Sequence, residues 1–211
     1  MGIIVKKIAV FASGRGSNYE AIQLQIDNGN INAQIFCVIS DHANPLVFEK
    51  AKSRKIPTHF INRKQFKDGQ QYVIALLKIL DEYETDLIIL AGYMKLIPST
   101  LVKAYKYRMI NIHPSLLPNF GGKGFYGMKV HQAVVDSGIN TTGITIHFVN
   151  EHYDKGNIIL QKEVRVEIDD NAEKVSQKVL KLEHQYYPEV VRLLCDDKIK
   201  IENNKVITEN E

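Results

Sequence analysis

Short apolar runs rich in β-branched residues alternate along this chain with longer segments whose apolar residues recur every three or four positions. The runs predict strands at residues 7–12, 33–40, 58–61, 86–91 and 109–113. The helical spacing predicts helices over residues 17–28, 46–54 and 64–83. Strands that alternate with helices are typical of βαβ units around a parallel sheet buried on both faces. The pattern therefore predicts an α/β fold, a Rossmann-like and mostly parallel sheet with helices on both faces.

The last third of the chain is predicted to form longer strands and a longer helix. Two strongly alternating runs, at residues 141–149 and 158–166, predict two long adjacent strands. A final long helix is expected over residues 172–195, with a kink at Pro188. Four glycines between residues 121 and 127 follow the strand that stops at Pro114, and this density suits a mobile lid. With no repeat or linker, we expect a single domain of residues 1–207 and a short polar tail of residues 208–211.

Composition and charge exclude several classes of protein. Lys and Arg number 27 against 24 Asp and Glu, a net charge of +3, and no basic run has the density that a nucleic-acid backbone requires. Cys37 and Cys195 are too few for a disulfide framework and suit a reducing compartment. No apolar stretch reaches the roughly 18 residues of a membrane span. We therefore expect a cytoplasmic protein that binds neither nucleic acid nor membrane.

The first candidate site is Gly14-Arg15-Gly16-Ser17-Asn18, where the first strand meets the first helix. Bare amides and the positive end of the helix dipole would bind a phosphate there. A capping box between Ser17 and Glu20 is the structural alternative, and it does not exclude a phosphate. A dinucleotide site is disfavoured because Tyr19 stands where the third glycine is needed, although Asp41 at the end of the second strand favours it.

The second candidate is Asn111-Ile112-His113-Pro114, which places an amide and an imidazole on one face at the carboxyl end of a strand. An Asn donor and a protonatable His suit oxyanion stabilisation and proton transfer. A packed His satisfied by backbone groups is the alternative. A third feature, Asp154-Lys155-Gly156, reads by itself as a turn. No group of residues has the spacing of a metal site, so no metal is expected.

Several motifs together resemble the phosphoribosylglycinamide formyltransferases, folate-dependent enzymes of purine synthesis, over residues 7–194. The motifs that carry the resemblance are Gly14-Arg15-Gly16-Ser17-Asn18, Gly92-Tyr93-Met94, Asn111-Ile112-His113-Pro114-Ser115-Leu116-Leu117-Pro118, His147-Phe148-Val149 and Asp154-Lys155-Gly156-Asn157-Ile158-Ile159-Leu160-Gln161. Related tRNA formyltransferases and formyltetrahydrofolate hydrolases carry additional domains for which this chain has no room. The resemblance implies an enzyme that takes the formyl group of its co-substrate, 10-formyltetrahydrofolate, to the amine of glycinamide ribonucleotide.

The resemblance also implies a role for each site residue. His113 would be the general acid, Asn111 would bind the formyl oxygen, and Asp154 would raise the pKa of His113 and orient a water molecule. Gly16, Ser17 and Asn18 would hold the ribose phosphate, and Glu183 would contact the glycinamide end of the substrate. The residues implied around the folate are Met94, Lys95, Leu96, Ile97 and Asn111.

Three departures from the family pattern concern folate binding and loop closure. An arginine that contacts the folate tail in some members falls near Gly69, so we expect the contact with the folate glutamate either to be weaker here or to come from Arg63 or Lys67. Asn157 stands where proline often follows the Asp-x-Gly turn, and the glycine-rich loop is longer than in short members. The competing hypotheses are a non-catalytic phosphate-sugar or nucleotide-binding module of the same fold and, less favoured, a nicotinamide-dependent oxidoreductase.

Overall fold

The computed structural model describes residues 5–209, and its strands and helices alternate as the sequence predicts. The strands are β1 (Lys6–Phe11), β2 (Ala33–Ser40), β3 (Thr58–Phe60), β4 (Leu87–Leu90), β5 (Met109–His113), β6 (Thr141–Phe148), β7 (Ile158–Arg165), β8 (Ile199–Glu202) and β9 (Lys205–Thr208). The helices are α1 (Ser17–Asp27), α2 (Leu46–Ser53), α3 (Gly69–Glu82), α4 (Ser99–Ala104), α5 (Met128–Asp136) and α6 (Ala172–Cys195), with a 3₁₀ turn at Arg63–Gln65.

Seven strands form one sheet in the order β3-β2-β1-β4-β5-β6-β7. β1 pairs in parallel with both β2 and β4, and β2 pairs in parallel with β3. β7 runs antiparallel to β6, and β8 and β9 form a separate antiparallel hairpin. The predicted α/β, mostly parallel, Rossmann-like fold is therefore confirmed, including the two long C-terminal strands and the final long helix.

Contacts between Cα atoms divide the chain into two compact units, one ending at Ile110 and the other beginning at Asn111. In the first unit, the core contains Ile8 and Phe11 of β1 together with Tyr19 and Ile22 of α1, all fully buried. The second unit has its own core, and its fully buried residues include Ile144 and Ile146 of β6 and Val175, Val179 and Tyr187 of α6. The single domain of residues 1–207 stays a prediction.

The structure differs from the sequence-based elements at three places. The helix predicted over residues 64–83 is a 3₁₀ turn followed by α3, whose N-cap Asp68 accepts a hydrogen bond from Gln71 N–H. Helices α4 and α5 were not predicted. The predicted polar tail begins at Thr208, which is the last residue of the unpredicted β8–β9 hairpin, and residues 210 and 211 lie outside the described range.

No helix within residues 5–209 combines the length and apolar character needed to cross a membrane. Pro188 lies inside α6 and is itself buried, and the kink expected there stays a prediction. The remaining boundaries match the prediction to within about two residues, and β2, β5 and α6 match at both ends.

Candidate active site

The loop between β1 and α1 is shaped by Gly16, which is the N-cap residue of α1 and has a left-handed backbone (φ 73°). A Cβ at this position would lie 2.5 Å from Val47 Cγ2, so a larger residue meets both strain and a clash. Val47 N–H also donates to Gly14 O at 3.2 Å, which ties the loop to the start of α2. The first-turn amides of α1 follow directly, and such amides together with the helix dipole favour an anion.

The capping box proposed as an alternative for this loop is wrong. Gly16, not Ser17, is the N-cap residue, and no side chain caps the helix. The Glu20 carboxylate pairs instead with Lys50 Nζ at 2.5 Å. The reason is tertiary: the close contact with Val47 requires glycine at the N-cap, which moves Ser17 into the first turn.

Ser13 joins three segments at the carboxyl ends of β1, β2 and β4. Its hydroxyl donates to Asp41 Oδ1 at 2.5 Å and accepts from Met94 N–H at 3.1 Å. Asp41 is 4% exposed, and its Oδ2 faces Lys95 Nζ at 3.8 Å. Asp41 therefore holds the loop after β4 in place through Ser13. The residue that favoured a dinucleotide site in the sequence thus has a structural role here.

Two of the predicted folate residues of the first unit border a cleft of about 240 Å³. Lys95 and Leu96 line it with Asp41, Asn62, Arg63 and Tyr72. Met94 and Leu96 are exposed, at 41% and 46%, whereas Ile97 is buried. Ile97 can therefore offer a ligand only backbone groups, and the side chains available to a ligand are those of the other three residues.

Arg63 occupies the space beside Gly69. A Cβ built on Gly69 would lie 3.8 Å from Arg63 Nε, and both residues border the cleft. The Arg63 guanidinium also donates to Phe66 O at 3.1 Å, which helps to hold its position. The Arg63 guanidinium therefore lies beside Gly69 at the border of the cleft.

Asn111 and His113 of the second unit lie two residues apart on β5 and share one face of the strand. Asp154 comes from the turn between β6 and β7, and its side chain is 11% exposed. Its Oδ2 lies 3.6 Å from His113 Nδ1, and its Oδ1 lies 3.5 Å from Asn111 Nδ2. The structure therefore brings the three predicted catalytic residues together.

His147, at the end of β6, is a fourth member of this cluster. Its Nδ1 donates to Phe148 O at 2.8 Å, which leaves Nε2 as an acceptor in the neutral imidazole. Asn111 Nδ2 donates to that Nε2 at 3.2 Å. The Asn111 carboxamide is thus held in one orientation, and Asp154 Oδ1 lies 3.5 Å from the same Nδ2. The sequence motif contained His147, but its partner is 36 residues away in the chain, so no local pattern showed the pairing.

The loop that follows β5, which contains Phe120 and the four glycines between residues 121 and 127, contributes to the position of His113. His113 Nε2–H donates to Phe120 O at 2.8 Å, so the nitrogen that faces Asp154 is Nδ1. Burial lowers the pKa of His113, whereas the carboxylate of Asp154 and the Phe120 carbonyl act in the opposite direction. Asp154 raises the pKa as the resemblance implied, but desolvation is larger, and the net direction is downward.

Asp154 stays ionised in this environment. Burial acts to raise the pKa of Asp154, but His113 and the Gly122 N–H, which donates to Oδ2 at 2.8 Å, hold it below its usual value. Burial and the neighbouring His113 lower the pKa of His131 on α5 to about 4. The cluster therefore has one carboxylate, and its charge opposes the desolvation that lowers the pKa of His113.

Glu183, the residue implied at the glycinamide end of the substrate, lies half-buried on α6. It is close enough to the buried Tyr187 to contribute to raising the pKa of that residue. Within residues 5–209, no group of three or more His, Cys, Asp and Glu side chains is arranged to hold a metal ion.

Comparison with known proteins gives one consistent family. Residues 6–191 match the model of the formyl transferase family. A phosphoribosylglycinamide formyltransferase of Bacillus subtilis is 40% identical over 90% of this chain and 95% of its own length. Chloroplastic relatives from Arabidopsis thaliana and Vigna unguiculata are 44% and 42% identical, and the chain spans 67% and 62% of their lengths.

Solved structures agree with the sequence relatives. The glycinamide ribonucleotide transformylase 1 of Symbiobacterium toebii superposes with a TM-score of 0.90 at 33% identity, covering 98% of this chain and 95% of its own. A formyltetrahydrofolate deformylase of Pseudomonas syringae is also similar, with a TM-score of 0.87 at 25% identity, and this chain covers 67% of it. The chain belongs to the formyl transferase family.

Proposed function

We propose that this chain transfers the formyl group of 10-formyltetrahydrofolate to the amine of glycinamide ribonucleotide, a step of purine biosynthesis. One observation carries the proposal: Asn111, His113 and Asp154 come together with separations of 3.5 and 3.6 Å in a chain whose sequence relatives bear the name of that activity. An amide donor, an imidazole and a carboxylate are the groups that acyl transfer to an amine needs.

The reaction then proceeds by direct attack of the substrate amine on the formyl carbon. The carbonyl oxygen gains negative charge in the tetrahedral intermediate, where the Asn111 side-chain amide and protonated His113 stabilise it. The amine loses a proton, N10 of the folate gains one, and the carbon–nitrogen bond to N10 breaks. Because His113 Nε2–H is committed to Phe120 O, the proton that His113 supplies is on Nδ1.

Asp154 serves this reaction as the counter-ion of His113. Its Oδ2 faces Nδ1 at 3.6 Å, which is too long for a direct hydrogen bond but close enough for strong attraction. We propose that a water molecule bound by Asp154 relays protons between the amine and the leaving group. No covalent bond to the protein forms at any stage.

The first unit supplies binding energy for both substrates. We propose that Gly16, Ser17 and Asn18 hold the phosphate of glycinamide ribonucleotide, because the backbone at Gly16 exposes first-turn amides. Glu183 of the second unit would receive the ammonium or amide of the glycinamide end. Both substrates are small molecules, and the site as proposed uses no metal.

The folate co-substrate would contact Met94, Lys95, Leu96 and the backbone of Ile97, together with Asn111. The cleft bordered by Arg63 and Lys95 offers two cations for the carboxylates of the folate glutamate. The cytoplasmic location expected from the sequence stays a proposal, and two relatives are named as chloroplastic.

The test is to incubate the purified chain with both substrates and to measure tetrahydrofolate, formylated ribonucleotide and formate. The proposal requires tetrahydrofolate and formylated product in equal amounts. Formate in place of the formylated product would indicate a deformylase, and an absence of both products would favour the non-catalytic phosphate-sugar or nucleotide-binding module. A substrate analogue without the phosphate should react poorly, because remote binding energy positions the amine.

A further inference from the structure

The turn that carries Asp154 joins β6 to β7 and is closed by a backbone hydrogen bond. Phe148 N–H donates to Asn157 O at 2.9 Å. At Gly156 the turn approaches the end of β6 so closely that a Cβ would lie 1.6 Å from Phe148 O, so a larger residue would force the backbone to shift. Asp154 itself has a left-handed backbone with φ of 53°, a conformation that is costly for a non-glycine residue. The position of the Asp154 carboxylate therefore depends on what holds this turn.

The side chain of Asn157 reaches away from the turn to the β8–β9 hairpin. Its Nδ2 donates to Asn204 O at 2.5 Å, with Asn204 Oδ1 at 3.4 Å. Asn203 and Asn204 form the tip of the hairpin, and both have left-handed backbones, with φ of 49° and 62°. Asparagine at both central positions suits a two-residue hairpin turn of this kind. The contact therefore joins the Asp154 turn to the tip of a regular hairpin.

The hairpin is fixed at its base and along one face. Lys198 N–H donates to Leu193 O at 2.8 Å, and Glu209 N–H donates to Lys198 O at 2.9 Å, so the hairpin begins directly at the end of α6. Ile201 and Val206 pair across the hairpin and are half-buried, whereas the neighbouring Lys205 is exposed. The tip is therefore held by the hairpin's own structure, and Asn157 binds to a fixed point.

We infer that the β8–β9 hairpin braces the Asp154 turn through the hydrogen bond from Asn157 to Asn204, and that Asn157 is a positioning residue for formyl transfer. The catalytic part of this inference rests on the proposed function. The Asp154 carboxylate lies 3.5 Å from Asn111 Nδ2 and 3.6 Å from His113 Nδ1, so a small movement of its turn weakens both contacts. A proline or an alanine at position 157 could not make this bond, because neither has a side-chain donor.

The test compares Asn157→Ala with Asn204→Gly. Asn157→Ala removes the donor without changing the charge near Asp154, whereas Asn204→Gly keeps the backbone acceptor and the left-handed turn. For Asn157→Ala we expect kcat to fall roughly three- to tenfold, the effect of losing one hydrogen bond. The KM values should change less than twofold, the melting temperature should stay near that of the wild type, and the basic limb of the pH profile should move to lower pH.

The pH dependence of kcat distinguishes a positioning role of Asn157 from a merely structural one. The titratable groups near His113 are Asp154, His147 and His131, and of these Asp154 is the one in the braced turn. Asn204→Gly should match the wild type in every measurement. Wild-type kcat and an unmoved basic limb in Asn157→Ala would overturn the inference, as would equal losses in both variants.

A readout without turnover distinguishes this inference from the proposed function. An NMR titration of His113 should give a lower pKa in Asn157→Ala than in the wild type or in Asn204→Gly. This result supports the brace even if the wild type shows no formyl transfer, in which case the proposed function fails alone. Superimposable titrations of His113 in the three proteins would overturn the brace whatever the activity.

Discussion

Replacing Asp154 by asparagine tests the electrostatic part of the site. The His113 Nδ1 and Asp154 Oδ2 atoms are 3.6 Å apart, and both side chains are nearly buried. At that separation two unit charges attract by about 5 kcal/mol at an effective dielectric constant of about 20 and by about 1 kcal/mol at about 80. Asp154→Asn removes the charge but preserves the shape, so kcat should fall between about 10-fold and 10³-fold.

The direction of the pH effect follows from the same contact. The carboxylate favours the charged imidazole, so its loss lowers the pKa of His113 further below its ordinary value. Formyl transfer needs protonated His113, and the basic limb of the kcat profile should therefore move to lower pH. The assay is tetrahydrofolate release across the pH range, with NMR titration of His113 and with Lys155→Ala, an exposed change in the same turn, as the control. An unmoved basic limb in Asp154→Asn would refute the reasoning.

Three further predictions concern the loop and the cluster. Gly16→Ala should raise the KM for glycinamide ribonucleotide at least tenfold and lower the melting temperature, because the new Cβ meets Val47 Cγ2 at 2.5 Å and the left-handed backbone costs about 1–2 kcal/mol; an unchanged KM would contradict it. Ser17→Ala combined with Asn18→Ala should raise that KM far more than the KM for the folate, and steady-state kinetics with equal effects on both would remove the loop from its proposed role. His147→Ala should lower kcat about tenfold in the same assay, because the Asn111 amide loses its acceptor, and a wild-type rate would show that Asn111 needs no such support.

The sequence predicted the elements whose signals are local. β2 and β5 are short, mostly apolar runs, and α6 keeps a long apolar stripe, so all three were predicted with their observed bounds. α4 is only six residues long and α5 follows the glycine-rich loop, where glycine weakens any helical signal. The β8–β9 hairpin was missed because its strands have four residues each, of which only two are apolar, and so short a run gives a weak signal.

The site shows a similar division between local and tertiary information. The spacing of Asn111 and His113 on a strand placed them on one face, and the family motif brought in Asp154. The support of that cluster depends on residues distant in the chain, such as His147 beside Asn111 and Asn204 beside Asn157. The N-cap role of Gly16 likewise follows from its contact with Val47, which no local pattern contains.

The most direct test of the central claim, that His113 and Asp154 act as one catalytic unit in formyl transfer, is a double-mutant cycle on kcat. His113→Ala should lower kcat by about 10²-fold to 10⁴-fold, and Asp154→Asn by the amount derived above. The double variant should be little slower than the slower single variant, because groups that act as a unit are not additive. A double variant in which the two losses multiply would contradict the account, and Asp154 would then be a turn residue without a part in catalysis.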